Sequence, residues 1–333
     1  MRWLPSILLL VTAVGCGEPL SNRIIEEDVL FRTSLPSVED VRTSAPEDEA
    51  ATDGARDLGQ RAGLVTTTKV VSAHYNGIVW SLLGIVDAIV QTPPSFRDDD
   101  SRIWGPFAGQ RAGSSVVLVV RRTDDGLFTY SIEGAPVPRW AVDEDTEFTP
   151  VMSGTFVRGS SLTEGEGQFA LDAQAWSIID GRFDGGGGQI AVAHRRIDEA
   201  VAIDVVVADW VTDRDGELDA SYRFRRRPGG GGFFEYETVD EIFDNGGEPE
   251  SYVIRARWNA DRTGRADFIV RGEGLGPGSP GAECWDESLG RTFFVFDPPG
   301  DQFDVIEGVE SDCVSGFEAP GDPAPELEDF ATD

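Results

Sequence analysis

The longest stretch of mainly apolar positions lies between residues 68 and 92 and predicts a single long helix. Its apolar side chains recur every three or four residues, the spacing of one helix face, and further apolar positions widen that face past half of the circumference. Thr66, Thr67 and Thr68 offer N-cap hydroxyls at its start. Pro93 marks its end, because proline cannot continue a helix.

Polar residues distinguish this helix from a membrane span. His74 and Asn76 precede its uninterrupted apolar run, residues 77–85, and Asp87 follows the run. A membrane span needs about 20 mainly apolar residues, so we predict a core helix with Asp87 at a surface edge.

Trp80, Leu83 and Val86 form the candidate apolar-ligand face of this helix. If the rest of the protein covers these three side chains on every side, the helix is simply core. If one flank is loose, the helix is a lid over an apolar site.

The chain after the helix alternates between apolar and polar positions in about eleven segments. This period of two predicts antiparallel strands with one buried face and one solvated face. We therefore predict a mainly β fold, an antiparallel meander that forms an open or closed barrel-like sheet or a sandwich, packed around one long N-terminal helix. The predicted strands are residues 116–122, 127–133, 148–158, 167–178, 189–195, 200–210, 220–227, 233–238, 251–259, 265–271 and 291–296.

The N-terminal 15 residues have the pattern of an export signal, with Arg2 before a short apolar run. The following Cys16 completes Ala13-Val14-Gly15-Cys16, which resembles the bacterial lipobox, in which the cysteine is lipidated and becomes the mature N-terminus. In that resemblance, Gly17 after the cysteine implies delivery to the outer membrane. The alternative is an ordinary signal peptide that happens to contain a cysteine.

Charge and hydropathy divide the rest of the chain into three parts. Residues 16–66 are acidic and poor in aromatic residues, which predicts a disordered tether, although the apolar cluster at residues 29–31 could dock locally. Residues 67–317 form the predicted helix-plus-meander domain. Residues 318–333 are acidic and proline-rich and predict a disordered tail.

The two remaining cysteines, Cys284 and Cys313, are an even pair in an exported chain. Because exported proteins pass into oxidising compartments, we predict a disulfide between them. The alternative is a pair of free buried thiols.

The formal net charge is −32, from 60 acidic and 28 basic residues. Such a surface repels nucleic acid and anionic lipid head groups, which argues against both as electrostatic partners, so we expect no nucleic-acid partner. Four of the late arginines, Arg223, Arg225, Arg255 and Arg257, could form a patch for an anion if their strands are neighbours. The alternative is that they pair with acidic residues on the solvated face.

The search for catalytic and metal-binding motifs yields no candidate. His74 and His194 are the only histidines, and the chain has no GxSxG element. We therefore predict no catalytic residue, no metal, no cofactor and no enzyme activity.

The combination of lipobox, acidic tether, apolar helix and antiparallel meander resembles bacterial envelope lipoproteins of uncharacterised function. The segment Glu283-Cys284-Trp285-Asp286 with its late partner Cys313 adds to that resemblance. More loosely, a helix with an open barrel is similar to periplasmic lipoprotein carriers and their outer-membrane receptors. The resemblance implies a non-enzymatic envelope protein that is anchored in the bilayer by acyl chains and is structural or binds an envelope protein. The alternative is a carrier of an apolar ligand held between the helix and the concave sheet.

Overall fold

The fold is a single antiparallel sheet of fifteen strands that packs against one long helix. The computed structural model describes residues 22–46, 58–123, 126–159, 164–181, 187–212, 216–240, 250–272, 278–296 and 305–313. The strands are β1 Phe96–Arg97, β2 Ser101–Ala108, β3 Ser115–Arg122, β4 Leu127–Ala135, β5 Thr149–Arg158, β6 Gly165–Asp172, β7 Gly187–Ile197, β8 Ala200–Thr212, β9 Gly216–Arg226, β10 Gly232–Asp240, β11 Glu250–Trp258, β12 Gly264–Arg271, β13 Ser279–Trp285, β14 Arg291–Phe296 and β15 Val305–Gly308.

Every strand pairs with the next strand along the chain, and β1 and β15 form the two edges. The predicted antiparallel meander is therefore confirmed, and within the described residues the sheet is open because its edge strands do not pair with each other. The predicted number of strands was wrong, since fifteen are present rather than about eleven. The additional strands are β1, β2, β13 and β15.

The helices are α1 Asn22–Thr33, α2 Gly63–Val90 and the one-turn α3 Ala173–Trp176, with short 3₁₀ helices at Val38–Asp40, Arg139–Ala141 and Glu310–Asp312. The long helix α2 corresponds to the predicted helix at residues 68–92, but it begins five residues earlier. The predicted strand at residues 167–178 is wrong in its second half, because β6 ends at Asp172 and α3 follows. No helix within the described residues is both long and apolar enough to cross a membrane.

One face of the sheet, here called the inner face, packs against α2 and forms the core. Val79, Leu83 and Val86 of α2 belong to the same buried cluster as Tyr222 and Phe234 of the sheet. The period of two along each strand puts polar and short side chains on the opposite, outer face.

The first turn of α2 is held by a side chain that lies 220 residues further along the chain. Glu283 of β13 is fully buried. Its Oε1 accepts from the backbone N–H of Gly63 at 2.9 Å and its Oε2 from that of Leu64 at 2.5 Å. Arg291 Nε donates to the same carboxylate at 2.7 Å. A carboxylate in this position satisfies two of the free N–H groups at the helix start and complements the helix dipole.

Residues 22–46, expected to be part of a disordered tether, are instead part of the folded body. Phe31 of α1 is 0% exposed and contacts the ring of Phe128 edge-on at 5.5 Å between centroids. Arg102 of β2, itself buried, donates to Asp28 of α1 at 2.8 Å. Of the cluster at residues 29–31, Phe31 docks as the sequence allowed, and burial of Phe31, Leu35 and Val41 in the core fixes the segment to the folded body.

Thr43 ties the end of this segment to α2. Its backbone N–H donates to Asn76 Oδ1 at 2.9 Å, and Asn76 Nδ2 donates back to the carbonyl of Thr43 at 2.8 Å. The Thr43 hydroxyl also lies 2.7 Å from that of Ser72. Residues 22–46 therefore contact both the sheet and α2.

The predicted pairing of Cys284 with Cys313 is confirmed by their geometry. The two sulfur atoms lie 2.13 Å apart and the Cα atoms 5.5 Å apart. The bond joins β13 to the chain that follows β15, on the outer face beside Phe293. Cys16, the signal segment at residues 1–15 and the predicted tail at residues 318–333 lie outside the described residues.

Candidate functional site

The outer face of β4 to β8 carries a groove whose floor consists of short side chains. Strand register places Ser131, Ser153, Ala170, Ala191 and Val206 side by side in one row across these five strands. A second row lies two residues away along each strand, on the same face, and contains Thr129, Thr155, Gln168, Ala193 and Asp204. Because these side chains are short, the outer face is hollow here, and the groove has a volume of about 640 Å³.

The polar side chains of this groove are available for a ligand. The side chains of Thr129, Ser153, Thr155 and Gln168 make no hydrogen bond to any other part of the chain that the structure describes. The inner-face neighbours of this row, such as Phe169 and Val192, are buried in the core, so the floor is rigid. Such a surface offers donors and acceptors next to methyl groups, without a net charge on the floor itself.

An ion pair forms one end of the groove. Arg225 of β9 donates to both carboxylate oxygens of Asp204, at 2.8 and 3.1 Å. A smaller groove of about 380 Å³ continues beyond this pair, and it shares Thr155, Gln168 and Asp204 with the first. Glu166 and Arg195, 3.5 Å apart, line the continuation. The polar surface thus extends across six strands.

The four arginines of the predicted anion patch do lie together, but acidic residues lie between them. Glu235 of β10 separates the strands of Arg223 and Arg255 and pairs with both, at 3.6 Å from Arg223 Nη1 and 2.5 Å from Arg255 Nε. Arg257 lies over the ring of Phe233 at 5.7 Å. This charge-compensated ladder is the alternative that the sequence left open, and it leaves little uncompensated positive charge for an anion.

The predicted apolar-ligand face of α2 does not form one surface. Leu83 and Val86 are buried in the core, whereas Trp80 is 48% exposed and lies 5.8 Å from the guanidinium of Arg42. The spacing predicts that all three belong to one wide apolar stripe, but positions 80 and 86 lie about 120° apart around the helix, and Trp80 falls outside the buried part of that stripe. Asp87 is exposed, as expected, and accepts from Gln91 at 3.2 Å.

A second, more apolar groove lies beside the C-terminal half of α2. It has a volume of about 520 Å³ between the helix and the β2–β3 hairpin. Its apolar lining is Ile85, Ala88, Ile89, Phe107, Val116 and Ile179. The sequence left open an apolar site at one flank of the helix without indicating which flank, and none of Trp80, Leu83 and Val86 lines this groove.

His194 shows no catalytic arrangement with other described residues. His194 of β7 is buried against the ring of Phe156, at 6.2 Å between centroids, and its Nε2 has no hydrogen-bond partner in the described chain. Burial lowers the pKa of His194, and the carboxylate of Asp40 opposes that shift. His74 lies in α2. Across the described ranges, no three His, Cys, Asp or Glu side chains are placed to hold a metal ion.

Sequence reasoning missed the outer-face groove, which the structure shows to be built from the least conspicuous residues of the strands. The alternating pattern already assigned Gln168 to a solvated face, but that pattern does not reveal which strands are neighbours. Only the register places Ser131, Ser153, Ala170 and Ala191 in one row.

The chain matches no protein-family model, and comparisons with curated proteins and with solved structures find no similar protein.

Proposed function

We propose that this protein is a non-enzymatic, lipid-anchored protein of the bacterial cell envelope that binds a partner protein through the outer-face groove. The observation that carries the proposal is the set of hydrogen-bonding side chains on the floor of the groove, Thr129, Ser153, Thr155 and Gln168, which are not used within the described fold. A rigid surface with unused donors and acceptors suits an extended polar segment of a partner.

A photo-crosslinking residue at position 153 tests this role in intact envelopes. We expect one discrete crosslinked species that disappears when Ala191→Arg fills the floor of the groove. Ala141→Arg, in the exposed 3₁₀ helix Arg139–Ala141, is the matched control and should leave the species unchanged. Equal crosslinking in both variants would contradict binding in the groove.

The resemblance of Ala13-Val14-Gly15-Cys16 to a lipobox supports the envelope assignment, and lipidation of Cys16 has its own test. Mass spectrometry of the mature N-terminal peptide should find acyl chains on Cys16, and Cys16→Ser should release the protein from membranes. Absence of turnover in a broad hydrolase screen would agree with the non-enzymatic role, and reproducible turnover that depends on a described residue would refute it.

A second role, as carrier of an apolar ligand, is favoured by the groove beside α2. Its volume of about 520 Å³ lies within the range of about 300 to 1,000 Å³ typical of ligand pockets. Organic extraction of the purified protein should then yield a lipid that Ala88→Trp excludes. Ala73→Trp, at an exposed position about four turns earlier on α2, is the control and should retain the lipid.

A further inference from the structure

One side of the long helix α2 faces away from the core, and we call it the exposed face of α2. Among the α2 residues whose side chains the structure describes, the exposed ones fall within an arc of about 100° around the helix. They are Val70, Ala73, Gly77, Trp80, Gly84, Asp87 and Ala88. Lys69, which is half-buried, lies at one edge of this arc.

The exposed face of α2 is unusually apolar for a surface of this protein. A helix face that meets only water normally carries charged and polar side chains. Here Val70 is 64% exposed and Trp80 is 48% exposed. Lys69 and Asp87 are the only Lys, Arg, Asp or Glu residues between positions 63 and 90. In a chain of net charge −32, this helix has no net charge, so two copies can meet on it without the repulsion of an acidic surface.

The residues of the exposed face are arranged symmetrically about its middle. Four pairs of positions have their midpoint between residues 78 and 79, namely Lys69 with Asp87, Val70 with Ala88, Ala73 with Gly84 and Gly77 with Trp80. A two-fold axis at that point would set two α2 helices antiparallel and bring the two members of each pair to the same level on opposite copies.

The charged pair shows that this symmetry also matches opposite charges. Lys69 and Asp87 are 18 residues apart, which is about five helical turns, so both lie on the same edge of the arc. The two-fold axis places the same edges of the two helices side by side. Lys69 of each copy would therefore face Asp87 of the other, at both ends of the contact.

The middle of the exposed face has room for a second helix. A Cβ atom at Gly77 or Gly84 would meet no other atom within 4 Å. The distance between packed helices depends on the side chains at their contact, and small residues allow a close approach. Ala73 facing Gly84 provides that approach, and Gly77 leaves space at the level of Trp80 of the second copy.

We propose that the protein forms a symmetric homodimer through the exposed face of α2, with the two helices antiparallel. The dimer leaves the outer-face groove open, because α2 packs against the opposite, inner face of the sheet. Its interface, mainly one helix from each copy, belongs to the small class below about 1,200 Å², so the association is weak. It covers the Gly84 edge of the apolar groove beside α2, so a second copy and an apolar ligand are alternatives at that flank.

A photo-crosslinking residue in place of Trp80 tests the contact in intact envelopes with the full chain. We expect a crosslinked species of twice the chain mass, in which mass spectrometry joins position 80 to residues 76–81 of a second copy. The same crosslinker in place of Trp140, which is 87% exposed in the 3₁₀ helix Arg139–Ala141, is the control and should give no such species. Absence of the dimer, with or without crosslinks from position 80 to lipid or to another protein, would overturn the proposal.

Charge reversal tests the antiparallel register. Lys69→Asp and Asp87→Lys each place like charges opposite each other at both ends, so each should reduce the crosslinked dimer at least about threefold. The double variant Lys69→Asp/Asp87→Lys restores two opposite pairs and should recover the wild-type yield. A double variant that dimerises no better than the single variants would overturn the antiparallel pairing.

Gly84→Arg blocks the interface without disturbing the fold. Its new side chain meets no atom of its own chain near the Cβ position, and arginine is a better helix former than glycine. We expect an unchanged circular dichroism spectrum, an undiminished Tm and at least about tenfold less crosslinked dimer. Ala141→Arg is the matched control and should leave the dimer unchanged. A folded Gly84→Arg variant that dimerises like the wild type would contradict the proposal.

Discussion

Glu283 is a buried carboxylate that connects β13 with the start of α2. Glu283→Gln keeps the shape of the side chain but removes the charge that faces two backbone N–H groups and Arg291. Breaking a buried pair costs about 3–5 kcal/mol, and the remaining amide oxygen still accepts a hydrogen bond. We therefore expect the free energy of unfolding to fall by about 2–4 kcal/mol, measured by urea denaturation with circular dichroism. Glu287→Gln, on an exposed turn, should change it by less than about 0.5 kcal/mol.

Because His194 is buried, we expect the free energy of unfolding to decrease in mild acid. Burial lowers the pKa of His194 in the folded state, whereas an unfolded histidine titrates near 6.5. Below pH 6.5 the unfolded chain therefore binds a proton that the folded chain does not, and the free energy of unfolding decreases as the pH falls. Each unit of pH in this window costs at most about 1.4 kcal/mol.

His194→Leu isolates this effect, because leucine does not titrate. The variant should show a smaller decrease in the free energy of unfolding between pH 7 and 5 than the wild type, whatever its stability at pH 7. Asp40, the carboxylate that opposes the shift, is present in both proteins. The same pH slope in both proteins would show that His194 is accessible to protons in the folded state.

At the scale of elements, the sequence identified the long helix but not its start. The predicted capping hydroxyls of Thr66, Thr67 and Thr68 lie inside α2 and donate to carbonyls four residues earlier, at 3.0, 3.2 and 2.8 Å. The actual cap comes from Glu283, a contact between residues too far apart in sequence for local pattern analysis to detect.

The strands that the sequence missed lack a long, uninterrupted alternation of apolar and polar residues. β2 contains Gly105 and Pro106, which the sequence pattern assigns to a turn, and the structure accommodates them by a register shift between Trp104 and Phe107. β13 contains Pro280, and β15 has four residues. Alternation over longer segments was enough to locate the other eleven strands, although it extended β6 wrongly into α3.

The disulfide between Cys284 and Cys313 closes a loop with a sequence separation of 29 residues. The chain-entropy relation assigns such a loop about 3–4 kcal/mol. We expect reduction to lower the free energy of unfolding by about that amount, and to increase hydrogen exchange at β15 and the 3₁₀ helix Glu310–Asp312 first. The pair Arg265 Nη1 and Glu310, 3.3 Å apart, is too exposed to hold that segment alone. The double variant Cys284→Ala/Cys313→Ala should match the reduced wild type, and unchanged stability in both would contradict a stabilising bond.

At the scale of the whole molecule, pattern and charge established the mainly β class and the acidic surface, while the position of residues 22–46 required the structure. Low hydrophobicity and high charge predicted disorder for that segment, yet it buries Phe31, Leu35 and Val41 in the core and makes polar contacts through Asp28 and Thr43. Arg102 illustrates the difficulty, since it is a charged residue with 2% exposure whose acidic partners, Asp28 and Glu27, come from another part of the chain. The composition of a segment gives only its average charge, so it does not reveal that individual charged residues are buried in pairs.

The net charge of −32 predicts that salt stabilises the folded protein. Like charges repel one another more strongly in the compact state, and salt screens exposed charges more than buried pairs such as Arg102 and Asp28. Raising NaCl from 20 to 500 mM should therefore raise Tm by several degrees, measured by calorimetry. Glu144→Gln/Asp145→Asn, which removes two exposed charges, should raise Tm at low salt and reduce the salt effect. Arg139→Gln, from the same exposed loop, should lower Tm at low salt and increase the salt effect. A Tm that falls as salt is added would show that the loss of screened ion pairs outweighs the loss of repulsion.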